Sequence, residues 1–227
     1  KLGYSETPPE PWSPVQLFGK NIHVWGRRYV LAGMGLPGNI NAMQPNPTRG
    51  KVVEDVLAAP VGVRIMSEGK EQVWEQQSFR FTHHDKNKVE VSGEGVANFI
   101  DLSLKGTLEY DGFYKIDLTL TPTSDKKVDS ITIEIPVPTK MAGLFHSVGE
   151  NMRANKTFAD FSDKTDGVIW DSKSAARNAV IKGNFLPVVW IGNEDRGLSW
   201  MCDNAHTWKI THDKPCLDVV RRGDQTI

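Results

Sequence analysis

At 227 residues the chain is long for one domain, yet a single large β-sandwich of this size is ordinary and buries a sizeable core. A formal net charge of −1 gives no electrostatic reason to expect a nucleic acid or an acidic membrane as partner. The longest apolar runs, such as 185–191, fall far short of the roughly 18 residues of a spanning helix. No charged-then-apolar leader opens the sequence, so a leader is either lacking or already removed.

Residues 1–14, containing "YSETPPEPWSP", form an extended, proline-rich lead-in that Trp12 ties down. From Val15 onward short strands are expected: "IHVWG" and "RRYVLAG", then the long turn-rich loop "GLPGNINAMQPNPTRG", then "VVEDVLAAP" and "VGVRIMSEG". "QVWEQQSFRFTHH" alternates as a strand, with Val73, Phe79 and Phe81 in one parity and Trp74 in the other. His83 and His84 are neighbours that a strand points to opposite faces, which argues for surface residues rather than a metal site.

The clearest passage is "NFIDLSLKGTLEYDGFYKIDLTLTPT". Ile100, Leu102, Leu104 and Leu108 share one face, opposite Asp101, Ser103, Lys105, Thr107 and Glu109. Tyr114, Ile116, Leu118 and Leu120 resume the apolar face after the turn. A two-residue loop at Asp111-Gly112 would set Leu108 against Lys115 and mix the faces. A three-residue loop, Tyr110-Asp111-Gly112, pairs Glu109 with Phe113, Leu104 with Leu118 and Leu102 with Leu120. It also puts Gly112 at the left-handed bulge position.

"DSITIEIPVP" is a further strand with Ile131, Ile133 and Ile135 in step, and Pro136 and Pro138 end its ladder or place it at an edge. From 142 to 183 the pattern weakens. "SKSAARNAV" at 172–180 predicts a short helix capped by Ser172 or Ser174. The closing "CLDVVRRGDQTI" reads as a strand and turn leading onward, so the chain is expected to be excised from a longer one. The whole pattern predicts an all-β fold with little helix: a large antiparallel two-sheet sandwich over 15–227 as one domain.

Two features bear on chemistry. Cys202 and Cys216 are the whole cysteine supply and read as two reduced thiols, a disulfide being open only if their strands meet. No Cys/His cluster has zinc spacing, and neither metal nor cofactor is expected. "GNEDRG" at 192–197 joins two apolar, tryptophan-bearing runs. Paired catalytic carboxylates of a glycosidase flank a bond at roughly 5–10 Å, whereas adjacent turn residues such as Glu194 and Asp195 diverge. A glycine-bounded turn is the simpler reading, with Arg196 forked onto a carboxylate. The competing reading is a ligand-lining patch of Trp190, Glu194, Asp195, Arg196 and Trp200, joined by His206 and Trp208.

"FLPVVWIGNEDRGLSWMCDNAHTW", "PWSPVQLFGKNIHVWGRRYVL" and "GLPGNI" together resemble the N-terminal domain of glycoside hydrolase family 123-like proteins, from about residue 11 to the end. In that family a β-sandwich precedes a (β/α) barrel that carries catalysis. The activity is that of a β-N-acetylgalactosaminidase with a neighbouring Asp-Glu pair and help from the substrate's acetamido group. This chain has no barrel pattern, and Glu194-Asp195 has the reverse order in the wrong domain, so no catalytic residue carries over. The resemblance implies a bacterial, secreted or periplasmic carbohydrate-degrading protein. This chain would be its accessory front domain, partnered by the C-terminal catalytic barrel of the same polypeptide. By analogy alone the sandwich would be of the super-sandwich, mutarotase-like kind. The alternatives are an independent carbohydrate-binding module, with a glycan as partner, and a structural spacer. Binding would need exposed aromatics on one face. The candidates are Trp25, Trp74, Trp170 and Trp208, near Arg27, Arg28, Asn204 and His206; most of the seven tryptophans are expected in the core.

Overall fold

The computed structural model describes residues 5–43, 45–46, 50–51, 53–147, 158–161, 163–172, 188–203 and 217–227. They fall into two compact units, Lys1–Ile135 and Pro136–Ile227. Regular structure is almost all antiparallel strand, so the fold is all-β as the periodicity predicts.

In the first unit the strands run β1 (Gln16–Phe18), β2 (Asn21–Val24), β3 (Arg27–Ala32), β4 (Leu36–Ala42), β5 (Pro45–Asn46), β6 (Gly50–Lys51) and β7 (Glu54–Asp55). They continue as β8 (Gly62–Ser67), β9 (Lys70–Glu71), β10 (Trp74–His84), β11 (Lys88–Ala97), β12 (Ile100–Glu109), β13 (Tyr114–Pro122) and β14 (Ser130–Glu134). One sheet has the order β1-β2-β3-β4-β7, a second β10-β11-β12-β13, and a third β14-β8-β9.

The first two sheets are laced together by groups that reach across the sandwich. The Tyr29 hydroxyl donates to the Gly112 carbonyl at 2.7 Å, and Tyr114 donates to Gly35 at 2.7 Å. Burial raises both phenols above their ordinary pKa. Arg27 Nη1 donates to the Asp111 carbonyl at 2.7 Å. Gly93 has no room for a Cβ because the Met34 backbone passes over it. The core between these sheets includes Leu31, Met34, Val89, Leu102, Leu104 and Leu108.

The β12–β13 register is the one that the apolar faces require. Leu104 pairs Leu118, Leu102 pairs Leu120 and Leu108 pairs Tyr114. Glu109 N–H donates to the Phe113 carbonyl at 3.0 Å, and Gly112 sits at φ +85°, closing the three-residue loop. Trp12 packs edge-on against Tyr110 at 5.8 Å and anchors the lead-in.

Three expectations are corrected. "GLPGNINAMQ" is not a loop throughout: Leu36–Ala42 is β4, paired to β3 with a register shift at Val30/Leu31. A Cβ on Gly38 would stand 2.6 Å from that of Ala32, so the glycine marks a close approach within a bulged strand rather than a turn. In "QVWEQQSFRF" a bulge between Trp74 and Gln76 moves Trp74 onto the face of Phe79 and Phe81, while Val73 is exposed. Among the described residues of "VVEDVLAAP", Glu54–Asp55 alone is strand, with Val56 and Leu57 buried beyond it. Ile131, for its part, is exposed on the edge strand β14.

The second unit contains β15 (Val137–Pro138), β16 (Leu144–Ser147), β17 (Phe158–Asp160), β18 (Gly167–Asp171), β19 (Val188–Gly192), β20 (Gly197–Met201), β21 (Asp218–Arg222) and β22 (Gln225–Thr226). Its sheets have the orders β15-β22-β21-β18 and β17-β16-β19-β20. Phe145, Phe161 and Val219 are buried between them, with Ile169, Trp170, Val189 and Ile191 packed against that cluster. Strands therefore occupy part of 142–183, where periodicity is weak. The helix expected at 172–180 lies outside the described residues beyond Ser172.

Candidate functional site

The 192–197 segment is a hairpin connection. β19 and β20 pair from Val188↔Met201 to Gly192↔Gly197. Asn193 N–H donates to the Arg196 carbonyl at 2.9 Å. The Asn193 carboxamide oxygen accepts from the N–H groups of Asp195 and Arg196, both at 3.0 Å. This side-chain-to-backbone closure explains Asn at the first loop position. Glu194 and Asp195 are exposed at the tip, and neither carboxylate bonds a described residue. The fork from Arg196 onto Glu194 or Asp195 is therefore not formed; Arg196 is half-buried.

The two bounding glycines answer to a tryptophan. A Cβ on Gly192 would lie 2.5 Å from Trp190 Cζ2, and one on Gly197 would run into the same indole. Trp190 thus lies across the end of its own hairpin. Val189 and Ile191 face the core cluster. Their register partners Trp200 and Leu198 share that side, while Trp190 shares the opposite face with Ser199 and, across β16, His146. The proposed patch is split: Trp190 and Trp200 stand on opposite faces and form no common platform. His206, Trp208 and Asn204 lie outside the described residues, as does Cys216.

The other aromatic candidates separate cleanly. Trp74 donates its indole N–H to the Val63 carbonyl at 2.7 Å and covers Gly95. Trp170 packs on Phe145 at 4.7 Å in the core of its unit. Both fill interior space. Arg27 is spent on the Asp111 carbonyl. Trp25 is 44% exposed in the β2–β3 turn, and among the described residues Arg28 is bound through Nε alone, to Asn41 Oδ1 at 2.8 Å. His83 bonds Asp85, and His84 bonds the Val15 carbonyl. Among the described residues no three His, Cys, Asp or Glu side chains cluster as metal ligands.

Sequence reasoning missed Asn39, Asn41 and Asp55. Both carboxamides donate to Asp55 Oδ1, at 2.9 and 2.6 Å. The only signal was two asparagines at alternate positions in a stretch read as loop.

The described strands and their antiparallel sheets define the class: an all-β domain. Residues 15–208 match the family described as "Glycoside hydrolase 123, third domain", and the chain belongs to that family. The matched domain is a third domain, so the N-terminal placement gains no support from it. No curated protein matches the chain.

Proposed function

We propose that the chain is a non-catalytic accessory domain of a secreted bacterial glycoside hydrolase, serving a catalytic barrel of the same polypeptide that acts on β-N-acetylhexosamine-containing glycans. The family match carries the reading at the level of an accessory domain. The site supports its non-catalytic part. Glu194 and Asp195 are exposed at a hairpin tip, and an exposed carboxylate lacks the desolvation that makes a general acid at neutral pH. The hexosaminidase and secretion parts rest on the resemblance of the "VVWIGNEDRGLSW" and "GLPGNI" segments.

The test is an assay of the 227-residue chain with an aryl β-N-acetylgalactosaminide. No turnover is expected above buffer. Turnover that disappears in Glu194→Gln or Asp195→Asn would overturn the reading.

A further inference from the structure

The outward face of the five-stranded sheet is polar. Register places Gln16, His23, Arg28, Asn41 and Asp55 in one row across β1, β2, β3, β4 and β7. The next row is Phe18, Asn21, Val30 and Asn39. Tyr29 and Leu31, one residue out of phase, are buried on the opposite side of the sheet, where Tyr29 reaches Gly112. Five strands at ordinary spacing make the row about 19 Å long.

The row is held rigid by its own hydrogen bonds. A carboxylate only accepts, so the NH₂ groups of Asn39 and Asn41 must both face Asp55. That leaves Asn41 Oδ1 to take the Arg28 Nε–H. Asn41, 2% exposed, is the centre, bonded to both neighbours in the row. Around it stand groups with capacity to spare among the described residues: the terminal guanidinium N–H groups of Arg28 and Asp55 Oδ2, while Asn39 Oδ1 is buried. Phe18 is 60% exposed at one end of the face and makes an edge contact with His23 at 5.5 Å. Trp25, in the turn that follows the His23–Arg28 pair along β2, is 44% exposed.

We infer that this face is a glycan-binding site, with Arg28 and Asp55 as the polar contacts and Phe18 and Trp25 as aromatic platforms. The inference rests on the accessory reading only for the class of ligand. A sugar hydroxyl both donates and accepts, and a guanidinium and a carboxylate fixed on one face offer both functions. The C–H face of a pyranose suits an exposed aromatic ring. A phosphate or other anion is disfavoured by Asp55 inside the array. A protein partner would ask for a broader apolar centre than two separated rings provide.

The experiment is calorimetric titration of the full chain with chondroitin oligosaccharide, chitotetraose and xylohexaose in turn, using wild type, Arg28→Met, Asp55→Asn, Phe18→Ala and, as a control on the exposed face of β12, Asp101→Asn. Thermal melts run alongside. At least one probe is expected to bind wild type and Asp101→Asn alike. Arg28→Met and Asp55→Asn should weaken it at least tenfold, with Arg28→Met melting within a few degrees of wild type. Binding that is unchanged in Arg28→Met and Phe18→Ala overturns the proposal. So does binding of no probe. Neither outcome touches the non-catalytic reading, which falls only on turnover.

Discussion

Trp190 shows how a single side chain dictates its neighbours. Its indole occupies the space where Cβ atoms at 192 and 197 would go. Neither glycine has the positive φ that usually explains such a residue in a turn. The glycines were legible in the sequence as punctuation, but their cause was not, because it lies in a ring two residues before one and across the ladder from the other. Gly197→Ala should destabilise by about 1–3 kcal/mol through overpacking. In a Trp190→Ala background the same change should cost well under 1 kcal/mol, since the obstruction is gone. Chemical denaturation of the four variants in a double-mutant cycle measures the coupling. An uncoupled pair would mean that the glycines serve the backbone instead.

At the level of elements, alternation was decisive wherever a strand had one wet and one dry face. β12 alternates between buried residues and exposed or, at Thr107, half-buried ones, and the register of its hairpin followed from that alternation. Leu104 is 1% exposed at its centre, whereas Leu118 lies half-buried on the edge strand β13. Leu104→Ala should therefore cost about 2–5 kcal/mol. Leu118→Ala should cost less, and Thr107→Ala about 0.5 kcal/mol or below; urea melts rank the three. Where a bulge intervened, as at Trp74–Gln76 or beside Gly38, period-two reasoning failed for a physical reason. One extra residue inverts the parity of everything beyond it.

The β10–β11 connection adds a pH test at the same level. Asp85 accepts from the Asn87 and Lys88 N–H groups at 2.7 and 2.9 Å. Its carboxyl is held below the usual range, first by the hydrogen bond with His83, against a desolvation cost that is next in size, and then by those backbone groups. A depressed folded pKa stabilises fully above the unfolded value of about 3.9, and that contribution fades as pH falls through the folded value. Asp85→Ala should cost about 1 kcal/mol at pH 7, with the gap to wild type narrowing below about pH 4. A gap that stays constant from pH 7 to pH 3 would show that the charge plays no part.

For the whole molecule, composition and periodicity revealed the all-β class but not how 15–227 divides. The join at Ile135/Pro136 is marked in sequence only by a proline that ends a strand. The polar row on the first sheet was equally hidden. Arg28, Asn41 and Asp55 come from three strands, and only the register of five strands shows that they share a face. The two compact units make a prediction that a single sandwich does not. The first has its own core around Leu31, Leu102 and Leu104; the second has a smaller one around Phe145, Phe161 and Val219. Phe145→Ala should cost its unit about 3–5 kcal/mol. If the units unfold separately, native-state hydrogen exchange should lose protection at 189–201 and keep it at 89–108. Leu104→Ala should do the reverse. Both segments losing protection together in either variant would instead make 15–227 one cooperative domain, because a shared transition leaves no way to weaken one core without the other.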